Sequence, residues 1–172
     1  MKKYLITPSP SYMQLRKYMP DFALYRNKEE KNYDLYAAEF IEMCKNFKDM
    51  KCFLHQNYNL AAKLGATGVH LTSQQFDAIP EAKELGLEVV ISTHTHDEVH
   101  IAEAMGADYI TYSPIFATPD KGDPKGVDDL REIIGMTDIK VFALGGILTQ
   151  EQVDAVAEVG AYGFASIRYF QL

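Results

Sequence analysis

The chain is poor in several features, and each absence narrows what it can be. Only two cysteines, Cys44 and Cys52, occur in 172 residues. Cys44 falls in a helical pattern and Cys52 opens an apolar strand-like run, so both read as small core residues. They form no metal-ligand spacing, and no disulfide framework is expected. No apolar run approaches the length that spans a bilayer. The opening residues, Met1-Lys2-Lys3-Tyr4-Leu5-Ile6-Thr7-Pro8, carry charge but too short an apolar stretch for a signal peptide. A cytoplasmic protein without membrane contact is the expectation. Positive charge is also scarce: 17 Lys and Arg against 24 Asp and Glu leave a net charge of −7. That balance argues against nucleic acid or an anionic membrane as main partner. It leaves room for a small anionic ligand held by a few local cations. A Gly-rich fingerprint after the first strand, which an open doubly wound dinucleotide-binding sheet requires, is missing too; the residues there are Thr7-Pro8-Ser9-Pro10.

What the chain does have is a repeated joint. Lys63-Leu64-Gly65-Ala66-Thr67-Gly68-Val69, Ala104-Met105-Gly106-Ala107-Asp108-Tyr109-Ile110 and Glu158-Val159-Gly160-Ala161-Tyr162-Gly163-Phe164 each take a helical pattern through a Gly into a β-type run. Short αβ connections of this kind belong to a parallel sheet with crossover helices. Strand-like runs fall at Lys3–Thr7, Phe22–Arg26, Cys52–Gln56, Gly68–Thr72, Glu88–Thr93, Tyr109–Pro114, Val141–Leu144 and Gly163–Ile167. Helical patterns lie between them. Over Tyr33–Phe47 the spacing places Leu35, Ala38, Ile41 and Met43 on one side. Pro80 breaks or delays a helix in Gln75–Leu85, and Thr149 is an N-cap candidate. Eight strands alternating with helices predict an α/β fold, a single (β/α)8 TIM-barrel domain over residues 1–172. It is compact, since about 250 residues is typical. It is also truncated: only Arg168 to Leu172 follow strand eight, so the final helix is missing. The outside of strands eight and one should then lack its cover, with Tyr169, Phe170 and Leu172 adding apolar surface. Homo-oligomerisation follows as an expectation.

In such a barrel the loops after the strands build the site. Those loops are polar, partly basic and poor in acids, as suits an anion. Gly145-Gly146 after strand seven and Ala165-Ser166-Ile167 after strand eight are placed to hold a phosphate on backbone N–H groups; the plainer reading is a tight turn. The long loop Pro114–Gly122 offers Lys121 and Thr118 to a second phosphate, although Lys121 taken alone reads better as a solvated surface lysine. His96 and His100 share a helix face but lie outside the barrel and read as solvated or packed surface residues. His70 either lines the barrel mouth or is buried and hydrogen-bonded.

The order of Gly65–Leu71, Ile91-Ser92-Thr93-His94-Thr95, Gly106–Ile110, Ser113–Lys121 and Gly145-Gly146-Ile147 resembles thiamine phosphate synthase and its TenI-type relatives, from about Phe22 to Ile167. The resemblance implies a (β/α)8 barrel of thiamine biosynthesis. The synthase joins a pyrimidine diphosphate to a thiazole phosphate and releases pyrophosphate with Mg²⁺. It implies Arg26, Lys28, Thr118 and Lys121 as anion contacts, and Gly146, Ser166 and Ile167 as the thiazole-phosphate cradle. Ser92 matches a ligand-contacting Ser, and His55, His70 or Ser92 are candidates for proton transfer. The pattern also departs from the family. Gln56 and Gln75 stand where metal-binding Asp residues are usual, so no metal ligand is carried over and Mg²⁺ is doubtful. The catalytic His of the TenI-type tautomerases aligns with Pro114. The resulting expectation is a transferase-like or isomerase-like protein that binds a small phosphorylated heterocycle. The alternative is a non-catalytic barrel that binds a phospho-ligand or a partner.

Overall fold

A computed structural model describes residues 1–172. Its elements alternate as the repeated joint predicts. The first half runs β1 (Lys2–Thr7), α1 (Tyr12–Tyr18), β2 (Phe22–Tyr25), α2 (Tyr33–Cys44), β3 (Lys51–His55), α3 (Tyr58–Leu64), β4 (Gly68–Leu71) and α4 (Ile79–Glu84). The second runs β5 (Glu88–Thr93), α5 (His96–Met105), β6 (Tyr109–Tyr112), α6 (Gly126–Met136), β7 (Lys140–Leu144), α7 (Gln150–Glu158) and β8 (Gly163–Ser166). All strands pair in parallel with their sequence neighbours, and β8 pairs with β1, which closes the barrel. The joints hold because Gly65, Gly106 and Gly160 take φ angles of 76°, 91° and 92°, which a side chain would resist. Ser11, Asn57, Thr95 and Thr149 cap their helices through side-chain oxygens, Thr149 in a reciprocal box with Gln152. Pro80 sits in the first turn of α4, whose start is delayed by a 3₁₀ turn over Phe76–Ala78.

Alternation along each strand divides the core. Outward residues such as Leu5, Val69, Ile91 and Ile110 pack under the helices in a shell of 35 buried residues. Inward residues form a plug of nine, including Tyr4, Phe22, Phe53, Tyr109 and Phe142. Phe22 and Phe53 stack with centroids 5.4 Å apart, and Phe142 meets Tyr4 edge-on at 5.1 Å. Such offset and edge-on contacts are the favoured aromatic arrangements. At the N-terminal mouth Lys51 Nζ donates to both Glu88 carboxylate oxygens (2.8 and 3.0 Å), and the Tyr109 hydroxyl donates to Oε1 (2.6 Å). That end of the barrel is filled and its charges are matched.

Three expectations are corrected here. On α2 the buried residues are Ala37, Phe40, Ile41 and Cys44, whereas Leu35 is 58% exposed; the core stripe is rotated from the one the sequence suggested. Cys44 and Cys52 are both buried, but they form a disulfide, because the end of α2 folds back beside the start of β3 with Cα atoms 6.6 Å apart. The outside of β8 is better covered than expected. A 3₁₀ turn over Arg168–Phe170 lays Phe170 parallel to Phe164 on β8 at 5.6 Å and buries it completely. Gln14 Nε2 and the Tyr18 hydroxyl tie that turn to α1 through the carbonyls of Phe170 and Gln171. Tyr169 packs on Phe164 as well, and Leu172 alone of the three stays largely exposed. No helix is long and apolar enough to cross a membrane.

Candidate functional site

At the other end of the barrel the strands open onto a cavity of about 930 Å³. Ile6 and Leu24, aliphatic members of the plug, line it together with the loops that follow the strands. All the expected site residues line it: Arg26, Lys28, His55, His70, Ser92, Thr118, Lys121, Gly146, Ser166 and Ile167. Arg168, one residue beyond the anticipated cradle, lines it too. No Asp or Glu does. The four cations Arg26, Lys28, Lys121 and Arg168 make none of the ion pairs in the chain, which use other Lys, Arg and His residues. Unpaired cations around a concave site without carboxylates focus positive potential on whatever enters it.

The loops reach this arrangement through bonds that the sequence did not reveal. Ile115 and Phe116 N–H donate to the carbonyls of Leu144 and Gly145, laying the β6–α6 loop against the glycine turn. A Cβ on Gly145 would lie 2.6 Å from Pro114 Cα, and one on Gly146 would lie 2.5 Å from the Ala117 oxygen. Both glycines also have positive φ (106° and 68°). They are needed for loop packing, so the tight-turn reading is correct as far as it goes. Gly146 is buried, lines the cavity, and its N–H donates to no acceptor in the protein. The N–H groups of Ile167 and Arg168 have no protein acceptor either. The Gly146 N–H is thus a buried donor without a partner, which is costly, whereas Ile167 and Arg168 are exposed at the cavity rim; free N–H groups beside four unpaired cations are the chemistry by which a backbone nest can receive an anion.

The hydroxyls expected to help are committed elsewhere. Ser166 Oγ donates to the Ile147 carbonyl (3.0 Å) and accepts from Tyr169 N–H (3.1 Å). Thr118 Oγ1 donates to the Phe116 carbonyl (3.0 Å). Ser166 and Thr118 therefore shape the loops, Ser166 by holding the turn over Arg168–Phe170 against Ile147. His55 is neutral at ordinary pH: partial burial and the nearby Arg26 and Lys28 bring its pKa down to about 4. His70 is buried, and desolvation, His55 and Arg26 bring it down to about 3. Its ring bridges Tyr4 and Ser92, so of the two readings offered by the sequence, mouth-lining and buried, both apply.

The positions at which the resemblance places metal-binding carboxylates do not suit Mg²⁺. Gln75 Oε1 accepts from Thr72 N–H (3.1 Å) while Nε2 donates to the Gln56 carbonyl (3.3 Å). The side chain thus clasps two loops, and its donor end could not face a cation. Mg²⁺ favours charged oxygen ligands, and the cavity wall supplies none. Away from the cavity, His96 is not a free surface residue: Nε2 lies 2.8 Å from Asp129 Oδ1, and the Tyr112 hydroxyl donates to Oδ2 (2.5 Å), clasping α5 to α6. His100 is exposed.

Fold and cavity together define a (β/α)8-barrel protein with a polar, partly basic cavity at the carboxyl ends of its strands. The chain belongs to the thiamine monophosphate synthase (TMP-TENI) family of thiamine biosynthesis, whose model matches residues 6–170. It is 35% identical over 150 residues to "Putative thiamine-phosphate synthase 2" of Aquifex aeolicus, covering 84% of this chain and 80% of that protein. To the thiamine-phosphate synthase of Koribacter versatilis it is 33% identical over 155 residues, covering 83% and 70%. Among solved structures, thiamine phosphate pyrophosphorylase from Pyrococcus furiosus superposes with a TM-score of 0.83 at 26% identity, covering 96% of this chain and 85% of that one.

Proposed function

We propose that the cavity binds a small phosphorylated heterocycle, a thiazole phosphate within the chemistry of this family, and that it does so without Mg²⁺. The observation that carries this reading is the pairing of a carboxylate-free, four-cation wall with the unpartnered N–H groups of Gly146, Ile167 and Arg168. The phosphate sits on those N–H groups. Arg26, Lys28 and Lys121 meet the remaining charge, each as a charge-assisted donor. His55, neutral and half-buried beside Arg26 and Lys28, faces the ligand as a hydrogen-bonding group rather than as a cation. As an enzyme the protein is a divergent synthase or an isomerase. The family relation supports catalysis; the neutral Gln56 and Gln75 support the second reading, a ligand-binding barrel without turnover. One experiment addresses both. Thiazole phosphate is titrated into the protein while the amide resonances of Gly146, Ile167 and Arg168 are followed, and pyrimidine diphosphate is then added with and without Mg²⁺ while thiamine phosphate is assayed. Amide shifts at the cradle with no Mg²⁺-dependent product are the expected outcome. An unperturbed cradle under saturating thiazole phosphate would refute the binding site.

A further inference from the structure

One buried pair, which joins the plug to the cavity, is used by none of the anion contacts. The Tyr4 hydroxyl lies 2.6 Å from His70 Nδ1, and Tyr4 has no exposed surface. The rest of the Tyr4 ring is packed by Phe22, Phe53 and Phe142, which offer its proton no lone pair. A phenol buried in this way must donate to something, and Nδ1 is its one hydrogen-bond partner. Nδ1 is therefore the unprotonated nitrogen. Burial holds the ring neutral, so its single proton is on Nε2, 2.9 Å from Ser92 Oγ. Nε2–H donates to that oxygen, and the proton of Ser92 is turned away from His70. Ser92 is partly exposed and lines the cavity.

We propose that Tyr4 is a positioning residue which, through His70, fixes the Ser92 hydroxyl as a hydrogen-bond donor facing the cavity, so that the ligand group meeting Ser92 must be an acceptor. In this arrangement His70 does not shuttle protons. Both its nitrogens are engaged, and it acts by orienting its neighbour, as the outer partner of a histidine commonly sets its tautomer. Without the Tyr4 proton the ring is free to take the other tautomer, in which Nε2 accepts from Ser92 and the serine shows the cavity only lone pairs. One hydroxyl on β1 thus decides whether the site selects an acceptor or a donor at Ser92. The consequence for a ligand rests on the cavity being the binding site proposed above; the tautomer does not, and it is measured on the ligand-free protein.

In protein labelled with ¹⁵N at histidine, two-bond N–H correlation spectra at neutral pH should show His70 as the Nε2–H tautomer. Tyr4→Phe should move both ring-nitrogen resonances toward the Nδ1–H form. Ser92→Ala should leave the Nε2–H form in place, because Tyr4 and not Ser92 sets it. An Nδ1–H ring in the native protein, a ring unchanged by Tyr4→Phe, or loss of the Nε2–H form in Ser92→Ala overturns the proposal. If Tyr4→Phe does not fold, the native spectrum and Ser92→Ala decide it alone. Inorganic phosphate titrated into the native protein and followed at the Gly146 and Ile167 amides is the separate control. Its failure to bind counts against the anion cradle and leaves the tautomer result standing.

Discussion

The two ends of this barrel carry comparable chemistry and treat it in opposite ways. At the N-terminal mouth a lysine, a glutamate and a tyrosine satisfy one another above a plug of stacked and edge-on rings. At the carboxyl end four cations line an open cavity with no acid in its wall and none within ion-pair distance. The first arrangement pairs half-exposed charges and gives the buried Tyr109 ring a partner for its hydroxyl. The second leaves like charges facing one another, which is unfavourable for folding and makes sense where an anion is to be received. On the proposed reading stability belongs to one mouth and recognition to the other, the division expected of barrels whose sites lie at the strand C-termini.

Substitutions should separate the two ends. Phe142→Ala, at the heart of the plug, should cost roughly 3–5 kcal/mol in urea unfolding while the cradle residues stay chemically intact. Lys121→Ala at the other end should shift unfolding by no more than about 0.5 kcal/mol and still weaken phosphate binding measurably. Gly146→Ala bridges the two effects. Its Cβ would press on the Ala117 carbonyl and its φ is +68°, so a cost on the order of 1–3 kcal/mol is expected, together with loss of phosphate-induced shifts at the cradle. Equal stability losses for Phe142→Ala and Lys121→Ala would erase the contrast.

The buried histidines place a pH dependence at the boundary between the ends. The folded-state pKa of His70 is about 3 and that of His55 about 4, against an ordinary value of 6.5. Between those limits the unfolded chain binds protons that the folded chain refuses. Their contribution is therefore fully present above pH 6.5 and is lost as pH falls toward 3. His70, which is fully buried, contributes a slope of up to roughly 1.4 kcal/mol per pH unit; His55 adds less because it is partly hydrated. Urea midpoints for native protein and His70→Gln at pH 7 and pH 5 test this. The native midpoint should fall more steeply than that of the variant, and parallel lines would show that His70 titrates normally in the fold.

Much of this was legible in the residues, and what was not has identifiable causes. The helix–Gly joints specify parallel αβ units because a left-handed residue and a short connection leave few other topologies, and eight such strands close. The cavity wall followed from knowing that loops after strands face one way. The α2 stripe was misplaced because Tyr33, Leu35, Tyr36, Ala37, Ala38, Phe40, Ile41 and Met43 put apolar groups on every side of the helix, so periodicity alone does not choose the buried face. The roles of Ser166 and Thr118 depend on carbonyls that loop closure brings near. The His96–Asp129 clasp joins residues 33 apart in sequence through adjacent helices. The cover that Phe170 gives Phe164 needs a 3₁₀ turn that five terminal residues do not announce. The Cys44–Cys52 bond depends on how α2 returns to β3, which their eight-residue separation alone does not decide.

The smallest structural change tests the sharpest departure from the pattern that the resemblance implies. Gln56 holds a φ of 64°, a region in which Asp and Asn are several-fold enriched and longer side chains are not. Its backbone therefore suits an Asp, and Gln56→Asp should alter stability by less than about 0.5 kcal/mol. Gln75 is different, since its Nε2 donates to the Gln56 carbonyl and a carboxylate has no proton to give. Gln75→Asp should loosen that junction at a cost of about 0.5–1.5 kcal/mol, the net worth of one hydrogen bond. Together the two substitutions bring a pair of charged oxygen ligands to loops that β3 and β4 hold side by side, the ligand type Mg²⁺ prefers. Calorimetric titration should then detect Mg²⁺ binding in the double variant and not in the native protein, and pyrophosphate should bind the variant better with the metal than without it. The native protein should make little or no thiamine phosphate in the presence of Mg²⁺, because metal charge stabilisation worth several kcal/mol to such a transition state has no ligands to anchor it. If the native chain binds Mg²⁺ as tightly as the double variant, its neutral amides are not what sets it apart.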